Sequence, residues 1–284
     1  MVHEQYFGGY GELSRTNSFS MAKTVLTMMV GIAIEEGIIA SFDQPITDYL
    51  PEFNSDELGK NATLAQLSLM NSGYDWVEHY YSWFSPTVEL YHGSDVEEFL
   101  LGRSFSDAPS ERWYYSSAST QLLAIALSRA LEANGQSGSL AKYLSAKIWQ
   151  PMGMNDDGVW HTDEEGMELA YCCINSNARN FAKLGQLLLN NGRWGDQQII
   201  PEAFVRKMIQ PEGQADYGYS TWLNYDNNPS FYHFSGHLGQ AIAVVPEHSL
   251  VVVRLGERTN PKTDFHTEEV PGYIDEAIKL AGLR

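Results

Sequence analysis

Basic residues are scarce in this chain of 284 residues, since 18 lysines and arginines stand against 36 aspartates and glutamates. The formal net charge at pH 7 is therefore -18. Nucleic-acid phosphates and anionic membrane surfaces repel a protein of this charge, so we expect neither as a partner. The charge excludes these partners, but it does not indicate a type of reaction.

Cysteine is almost missing, because the only two cysteines are the neighbours Cys172 and Cys173. We predict that residues so close in sequence are poorly placed to bridge each other. By themselves they cannot build a disulfide framework or a zinc site either. Cysteine usage therefore leaves the redox compartment open.

Long hydrophobic runs are missing as well. The longest, residues 25–34, is interrupted by Thr27, and it has about half the length of a membrane-spanning helix. The first residues show no signal-peptide pattern. We therefore predict no integral membrane segment in this chain, whose length allows one large domain or two lobes.

Capping residues and apolar spacing predict helices through the middle of the chain. The predicted helices cover residues 18–37, 62–73, 116–135, 140–150, 177–192 and 273–283. The first thirteen residues are typical of a strand and a turn, and two β-branched runs within 230–257 predict antiparallel strands. The aromatic-rich residues 74–86 predict a loop at the lid or rim of a pocket.

This order of elements predicts a single domain with a mixed α/β fold of the α+β type. We expect a sheet lobe built from about residues 1–16 and 196–284, with an all-helical lobe of about 17–195 inserted between them. Active sites commonly lie in the cleft between two such lobes.

A serine followed three residues later by a lysine occurs twice, as Ser20 with Lys23 and as Ser139 with Lys142. On the order of one such pair is expected by chance, so the spacing alone carries little. Ser139 follows a glycine-rich turn, and we interpret it as an N-cap with Lys142 as a surface charge. The helix after Ser20 is apolar nearly all round, which predicts that Lys23 is buried.

Burial gives Lys23 a possible chemical role. A desolvated lysine has a lowered pKa, and its neutral amine can take a proton from a hydroxyl one turn away. The segment by itself equally allows a simpler interpretation, in which Ser20 only caps the helix and the Lys23 stem reaches the surface.

Two later segments supply further candidate groups. Tyr115 directly precedes a predicted helix, so its hydroxyl can exchange a proton with a serine or lysine, although a packing aromatic explains it equally well. His237 and Gly239 precede a strand, where small residues let a ligand approach the backbone. His233 and His237 are four residues apart, but on a strand this spacing does not make a joint site, and we predict no metal.

These segments together resemble the penicillin-recognising serine hydrolases, because Ser20–Lys23, Tyr115–Ser117 and His237–Gly239 follow in that family's order and spacing. The superfamily contains class C β-lactamases, DD-peptidases, related esterases and 6-aminohexanoate-dimer hydrolases. The flanking segments look most like the last two groups, from about Tyr6 to the C-terminus. The resemblance implies a β-lactamase-like fold: an antiparallel sheet flanked by helices, an inserted helical lobe, and an active site in the cleft.

The resemblance also implies catalytic roles. Ser20 would be the acylated nucleophile, and Lys23 would activate it and share its proton. Tyr115 would relay protons to the leaving group and later from the water that releases the acyl group. No cofactor is implied, and the expected partner is a small-molecule ester or amide.

On the substrate side, the resemblance assigns Ser117 to the position that steadies Lys23 and the substrate. Gly239 would let the strand backbone approach, and the backbone N–H groups of Ser20 and Gln240 would form the oxyanion hole. His237 stands where β-lactamases usually carry lysine. A neutral imidazole cannot hold a β-lactam or peptide carboxylate as a lysine does, so we expect an ester or small-amide substrate.

Several points differ from the family or stay open. Asn180 replaces the aspartate of the family's Ala-Arg-Asp, and the sequence assigns no glutamate as a deacylating base. The family's N-terminal helix and first strand are expected to be absent here. Because many relatives are exported, we expect an exported or periplasmic protein whose signal lies outside this chain, with a cytoplasmic location as the alternative. The oligomeric state is open.

Two other functions remain as alternatives to an esterase or amidase. One is a true β-lactamase or DD-peptidase, and the other is a catalytically silent, penicillin-binding-like sensor module. An α/β-hydrolase is not supported, because the sequence contains no G-x-S-x-G motif.

Overall fold

A computed structural model describes residues 1–258 and 262–283. Its helices are α1 (Met21–Glu35), α2 (Leu64–Ser68), α3 (Pro86–His92), α4 (Val96–Leu101), α5 (Ser117–Ala133), α6 (Leu140–Leu144), α7 (Ala178–Leu189), α8 (Glu202–Met208) and α9 (Val270–Leu280). Its strands are β1 (Thr16–Asn17), β2 (Val159–Trp160), β3 (Ile174–Ser176), β4 (Arg193–Trp194), β5 (Gln197–Gln198), β6 (Trp222–Asn224), β7 (Phe231–Gly236), β8 (Gln240–Val245) and β9 (Leu250–Arg254).

The main sheet is antiparallel, with strand order β6-β7-β8-β9. Side chains alternate between its faces, as the pleat of a strand requires. Ile242 and Val244 belong to the main core, which they share with α1 and α7. Ala243 and Val245 face the other way and form a smaller core with α9. Because helices cover both faces, every residue of β8 is buried.

Helix α1 runs through the middle of the main core, and its residues from Met21 to Ala33 are all buried. Its polar side chains therefore need partners. Thr24 donates a hydrogen bond of 2.6 Å to the Ser220 carbonyl, and Thr27 donates one of 2.9 Å to the Ser220 hydroxyl. The polar groups fix α1 against the neighbouring elements, and Lys23 is held in the same way, as described below.

The predicted order of helices and strands is largely confirmed. Helices α1, α5 and α7 begin one residue after Ser20, Ser116 and Asn177, within the predicted segments. The antiparallel strands of the main sheet and the mixed fold with flanking helices are also present. Residues 75–85, all of them described, contain neither helix nor strand, so the aromatic loop is confirmed. Helices α3, α4 and α8 were not predicted.

The predicted strand near the start of the chain is wrong. Residues 1–15 are described and contain no strand, because the backbone turns at Gly8 and Gly9 and has no neighbouring strand to pair with. Ion pairs hold this segment instead, since Glu4 and Glu12 both contact Arg179 at 2.7 Å. The division into a sheet lobe and a helical lobe stays a prediction. Within residues 1–258 and 262–283, every helix is too short or too polar to cross a membrane.

Candidate active site

Lys23 lies one turn into α1, and its side chain is 1% exposed. The ammonium donates hydrogen bonds to the Ser20 hydroxyl at 3.2 Å, the Ser117 hydroxyl at 3.1 Å and the Tyr171 carbonyl at 2.9 Å. The spacing of three residues puts Ser20 and Lys23 on one helix face. Burial lowers the pKa of Lys23 to about 8, while the Glu78 carboxylate acts in the opposite direction. An amine of this pKa can exchange protons near neutral pH.

The chain reaches Ser20 through an unusual turn. Phe19 has a φ of +44°, in the left-handed region that residues other than glycine seldom adopt. The turn is fixed on both sides, since the Ser18 N–H donates to the Ile174 carbonyl at 2.8 Å and the Phe19 N–H donates to the Asn17 side chain at 2.8 Å. The backbone before Ser20 is therefore anchored to β3, which sets the direction of the serine side chain.

Tyr115 lies beside this pair. Lys23 Nζ is 5.1 Å from the centre of the Tyr115 ring, and Trp222 stacks on that ring at 5.7 Å. Burial raises the pKa of the Tyr115 hydroxyl above its ordinary value, and the Ser20 side chain opposes part of the rise. The hydroxyl is therefore protonated at neutral pH and lies next to Ser20, where it can give or receive a proton.

Ser117 links the lysine to a carboxylate. It is the first residue of α5 and is 1% exposed. Its backbone N–H and its hydroxyl both donate to Glu78, at 2.8 and 2.6 Å. Because the hydroxyl donates to Glu78, its oxygen can accept the hydrogen bond from Lys23. A chain of hydrogen bonds thus runs from Ser20 through Lys23 and Ser117 to Glu78.

Glu78 is the site residue that sequence reasoning missed. It lies in the aromatic loop and also accepts hydrogen bonds of 2.6 Å from the Trp76 indole and the Tyr80 hydroxyl. A loop has no periodicity, so no pattern marked this residue. The available signal was that Glu78 is the sole acidic residue in the stretch 76–86. A lone carboxylate among rings needs partners, and Ser117 supplies two of them.

His237 lies in the connection between β7 and β8 and reaches the same site. Its ring is 4.8 Å from the Tyr80 ring and 5.7 Å from the Phe19 ring, between centres. Burial lowers the pKa of His237 below its ordinary value, so the ring is neutral near pH 7. His233 lies elsewhere, because its Nε2 is 2.9 Å from His266 Nδ1. The two histidines do not form a joint site.

The end of β7 passes close to the segment before Ser20. A Cβ on Gly236 would lie 2.3 Å from the Ser18 carbonyl oxygen and 2.9 Å from Gln240 Cβ, so this approach requires glycine. Gly239 follows with a φ of +94°, and the Gln240 side chain donates to the His237 carbonyl at 3.2 Å. The turn thus holds Gln240 beside the strand end that contacts Ser18. The assignment of an oxyanion hole to Ser20 and Gln240 stays a prediction.

A pocket of about 190 Å³ opens in front of Ser20. Helix α3, which was not predicted, forms one wall, and the other walls come from the aromatic loop and from residues near Ser20 and Cys172. Its lining comprises Phe19, Ser20, Tyr80, Thr87, Val88, Tyr91, His92, Ser117, Tyr171, Cys172 and His237. The described lining residues include no aspartate, glutamate, lysine or arginine. Of the predicted residues, Ser20, Ser117 and His237 line this pocket, whereas Lys23, Tyr115, Gly239 and Gln240 are not among its lining residues.

The prediction that the two cysteines do not bridge is wrong. Cys172 and Cys173 form a disulfide between neighbours, with their Cα atoms 3.7 Å apart. The backbone turns at Cys173, where φ is +80°, and this turn brings together two side chains whose adjacency in sequence argued against a bridge. The bridged pair directly follows Tyr171, whose carbonyl binds Lys23.

The second serine–lysine pair is a helix cap, as predicted. The Ser139 hydroxyl accepts from the Lys142 backbone N–H at 3.3 Å and donates to Glu168 at 2.7 Å. Lys142 is exposed. This pair lies outside the pocket and has no contact with the Ser20 site.

The chain is similar to known proteins in sequence and in fold. A sequence model of the beta-lactamase family matches residues 1–270. The 6-aminohexanoate-dimer hydrolase of Paenarthrobacter ureafaciens is 23% identical over 290 residues, which cover 93% of this chain and 71% of that protein. A Bacillus anthracis structure, assigned provisionally as a 6-aminohexanoate-dimer hydrolase, is 26% identical with a TM-score of 0.83, over 99% of this chain and 76% of that one.

Two more distant structures share the fold. A family VIII carboxylesterase is 18% identical with a TM-score of 0.69, over 94% of this chain and 84% of that one. A penicillin-binding protein from Bacillus halodurans is 18% identical with a TM-score of 0.67, over 94% of this chain and 85% of that one. Together with the family match over residues 1–270, these likenesses confirm the resemblance to penicillin-recognising hydrolases: the chain belongs to the beta-lactamase family.

Proposed function

We propose that the protein is a serine hydrolase that forms an acyl-enzyme on Ser20 and acts on a carboxylic ester or a small amide. The observation that carries the proposal is the buried Lys23, whose Nζ is 3.2 Å from the Ser20 hydroxyl oxygen. With a pKa of about 8, about a tenth of this amine is neutral at pH 7 and able to accept a proton.

In the acylation step, Ser20 Oγ attacks the substrate carbonyl carbon and its proton passes to Lys23. The bond to the leaving group then breaks, and the leaving group takes a proton from the Tyr115 hydroxyl. The Lys23 ammonium returns a proton to Tyr115 and becomes neutral again. Water completes the cycle by attacking the acyl carbon and gives one proton through Tyr115 to Lys23. The bond between Ser20 Oγ and the acyl carbon then breaks, and Lys23 passes that proton to Ser20 Oγ.

Charge on the substrate carbonyl oxygen would be stabilised by backbone donors. Ser20 directly precedes α1, so the positive end of the helix dipole favours negative charge beside its backbone N–H, which is proposed as the first donor. The Gln240 backbone N–H, at the start of β8, is proposed as the second donor. Such a pair of aimed donors contributes several kcal/mol to lowering the barrier.

Ser117 and Glu78 act in this proposal as positioning residues. Ser117 accepts from Lys23 and donates to Glu78, so it holds the amine toward Ser20. The Glu78 carboxylate favours the protonated form of Lys23 and keeps its pKa from falling further. Without this carboxylate the lysine would be a weaker base.

The pocket supports an ester or small-amide substrate rather than one bearing a carboxylate. Its described lining carries no permanent cation, and His237 is neutral near pH 7 because burial lowers its pKa. The similarity to the 6-aminohexanoate-dimer hydrolase, 23% identical over 93% of this chain, supports an amide as the bond that is cleaved; the dimer in that protein's name also carries a carboxylate, so the relative does not bear on the charge of the substrate. The shared fold with a carboxylesterase is compatible with an ester.

A labelling and turnover experiment tests the proposal. A fluorophosphonate probe should label the wild type and Ser139→Ala but not Ser20→Ala, and p-nitrophenyl esters should be hydrolysed with the same dependence on Ser20. Labelling that persists in Ser20→Ala would contradict the assigned nucleophile. Fast nitrocefin turnover would favour a β-lactamase, and a wild type that is neither labelled nor active would favour the silent sensor module.

A further inference from the structure

The aromatic loop carries three large side chains that packing inside the protein does not explain. Tyr81, Trp83 and Phe84 are 80%, 83% and 99% exposed. Single exposed rings are ordinary on a protein surface, but several together commonly mark a binding surface. We call these three residues the aromatic rim.

The aromatic rim is continuous with the pocket in front of Ser20. The Tyr81 ring centre lies 6.0 Å from that of His237, and the Trp83 ring centre lies 6.2 Å from that of His92. Both histidines line the pocket. A ligand that fills the pocket and extends beyond it on this side therefore meets the rim.

Hydrogen bonds hold the loop that carries the rim. The Ser85 hydroxyl donates to the His79 carbonyl at 2.5 Å and accepts from the Val88 N–H at 3.2 Å. The Thr87 hydroxyl donates to the Val77 carbonyl at 2.8 Å. These contacts fix both ends of the loop to the start of α3, the helix that forms a wall of the pocket.

The rim and the pocket have the same chemical character. Residues 80–86 contain no charged residue, and the described pocket lining contains no aspartate, glutamate, lysine or arginine. A charged chain would lose water here without gaining an ionic partner. Aromatic rings pack well against apolar groups, so an uncharged apolar chain fits both surfaces.

The size of the pocket indicates when a chain reaches the rim. Its volume of about 190 Å³ gives room for roughly six groups of methylene size, if each takes about 30 Å³ as a water molecule does. Tyr80 and Tyr91 line the pocket but are each 39% exposed, so this wall reaches the surface. A longer chain has to leave the pocket, and the rim lies beside this opening.

Tyr115 indicates which half of the substrate occupies the pocket. In the proposed mechanism it gives a proton to the leaving group, and it is not among the pocket-lining residues. With the leaving group at Tyr115, the pocket is left for the acyl group.

We propose that the aromatic rim is a second binding surface for the acyl group, which contacts the part of a long apolar chain that extends beyond the pocket. Tyr81 and Trp83 are then specificity-determining residues. The inference rests on the proposed acyl-enzyme function and names a substrate class: apolar acyl groups too long for the pocket alone, preferred over short ones.

The test compares p-nitrophenyl decanoate with p-nitrophenyl butanoate, each below the concentration at which it aggregates. The wild type should have a higher kcat/KM for decanoate. In Trp83→Ala the ratio of the two kcat/KM values should fall about tenfold, because the end of the chain loses an apolar contact. Tyr81→Ala should lower the ratio in the same direction, and Trp83→Phe, which keeps a ring, should preserve part of it.

Phe7→Ala is the matched control, because Phe7 is also an exposed aromatic residue, 71% exposed, but does not line the pocket. It should leave the ratio unchanged. A wild type without a preference for decanoate would overturn the inference, and so would a Trp83→Ala variant that keeps the preference. A Trp83→Ala effect on decyl acetate instead of decanoate would place the chain on the leaving-group side and overturn the assignment to the acyl group.

Other occupants of the rim give different results. If Trp83→Ala lost a dimer in sedimentation, or lost binding to phosphatidylcholine vesicles, with an unchanged ratio, the rim would belong to a second copy or to a lipid surface. Either result would overturn the inference. If the wild type hydrolyses no ester and takes no fluorophosphonate label on Ser20, the proposed function itself fails, which is a distinguishable outcome.

Discussion

The Ser20–Lys23 and Ser139–Lys142 pairs have the same spacing and the same place at a helix start, but their surroundings differ. Ser20 makes no side-chain capping hydrogen bond, and Lys23 is 1% exposed. Ser139 accepts from the Lys142 backbone, and the Lys142 side chain extends into solvent. The hydroxyl of Ser139 is used to cap a helix, whereas that of Ser20 is left for the lysine amine. Burial and hydrogen bonding, rather than spacing, separate a candidate catalytic pair from a structural one.

Removing each serine should produce the largest difference between the pairs. Ser20→Ala is expected to lower kcat for a p-nitrophenyl ester by about 10⁴-fold or more, because no nucleophile remains. Ser139→Ala should keep kcat near the wild-type value and lose about 1 kcal/mol of stability, as expected for a lost N-cap. Steady-state kinetics and urea unfolding measure the two effects. Comparable losses of activity in the two variants would contradict the claim that Ser20 is the nucleophile and Ser139 only a helix cap.

Replacing each lysine is the next strongest test. Lys23→Met should lower kcat by about 10³-fold, because the group that accepts the Ser20 proton is gone. Lys142→Met should leave kcat within about twofold, as a surface substitution does. Both variants remove one positive charge, so the overall charge is matched. Retained activity in Lys23→Met, measured with the same ester, would contradict the proposal that Lys23 accepts the proton of Ser20.

The dependence of stability on pH should also distinguish Lys23. Its pKa is about 8 in the folded protein against an ordinary value of 10.5, so between these values the unfolded chain binds more protons. Stability should therefore rise with pH through this window, by up to about 3 kcal/mol. Urea unfolding from pH 8 to 10.5 should show this rise in the wild type and in Lys142→Met. In Lys23→Met the rise should be smaller, and an identical rise would contradict the burial of a charged lysine.

The smallest effect concerns the carboxylates beside the two pairs. Glu78→Gln removes a charge that raises the pKa of Lys23. The pKa of Lys23 should therefore fall. Because the amine must be neutral to accept a proton, the rise of kcat/KM on the acidic side of its pH profile should move to lower pH. Glu168→Gln is the matched control beside Ser139, with which Glu168 shares a hydrogen bond of 2.7 Å. Glu168→Gln should leave the pH profile of kcat/KM unchanged. A shift of the profile to higher pH in Glu78→Gln would contradict the proposed effect of Glu78 on Lys23.

Capping residues and apolar periodicity were sufficient to predict α1 and α5, which carry Lys23 and Ser117, but not α3, which forms a wall of the pocket. Ser116 precedes α5 and Asn177 precedes α7, each followed by regularly spaced apolar side chains. These signals are local, so the sequence carries them. The strand predicted near the start failed for the opposite reason, since a strand depends on a partner elsewhere in the chain.

The parts of the site that could not be predicted depend on three-dimensional proximity. Glu78 lies in an aperiodic loop, and its link to Ser117 spans 39 residues. The bridge between Cys172 and Cys173 depends on a local turn that a general distance rule does not describe. The order of the motifs was sufficient to identify the candidate nucleophile. The groups that change the pKa of its neighbouring lysine could be identified only from the three-dimensional structure.

Mapping the acyl-enzyme tests the central claim most directly. The protein would be mixed briefly with a p-nitrophenyl ester, quenched in acid, digested, and examined by tandem mass spectrometry for the added acyl mass. We predict the acyl group on Ser20, with the peptide containing Ser139 unmodified. An acyl group on any other residue, or turnover that persists in Ser20→Ala, would contradict the account.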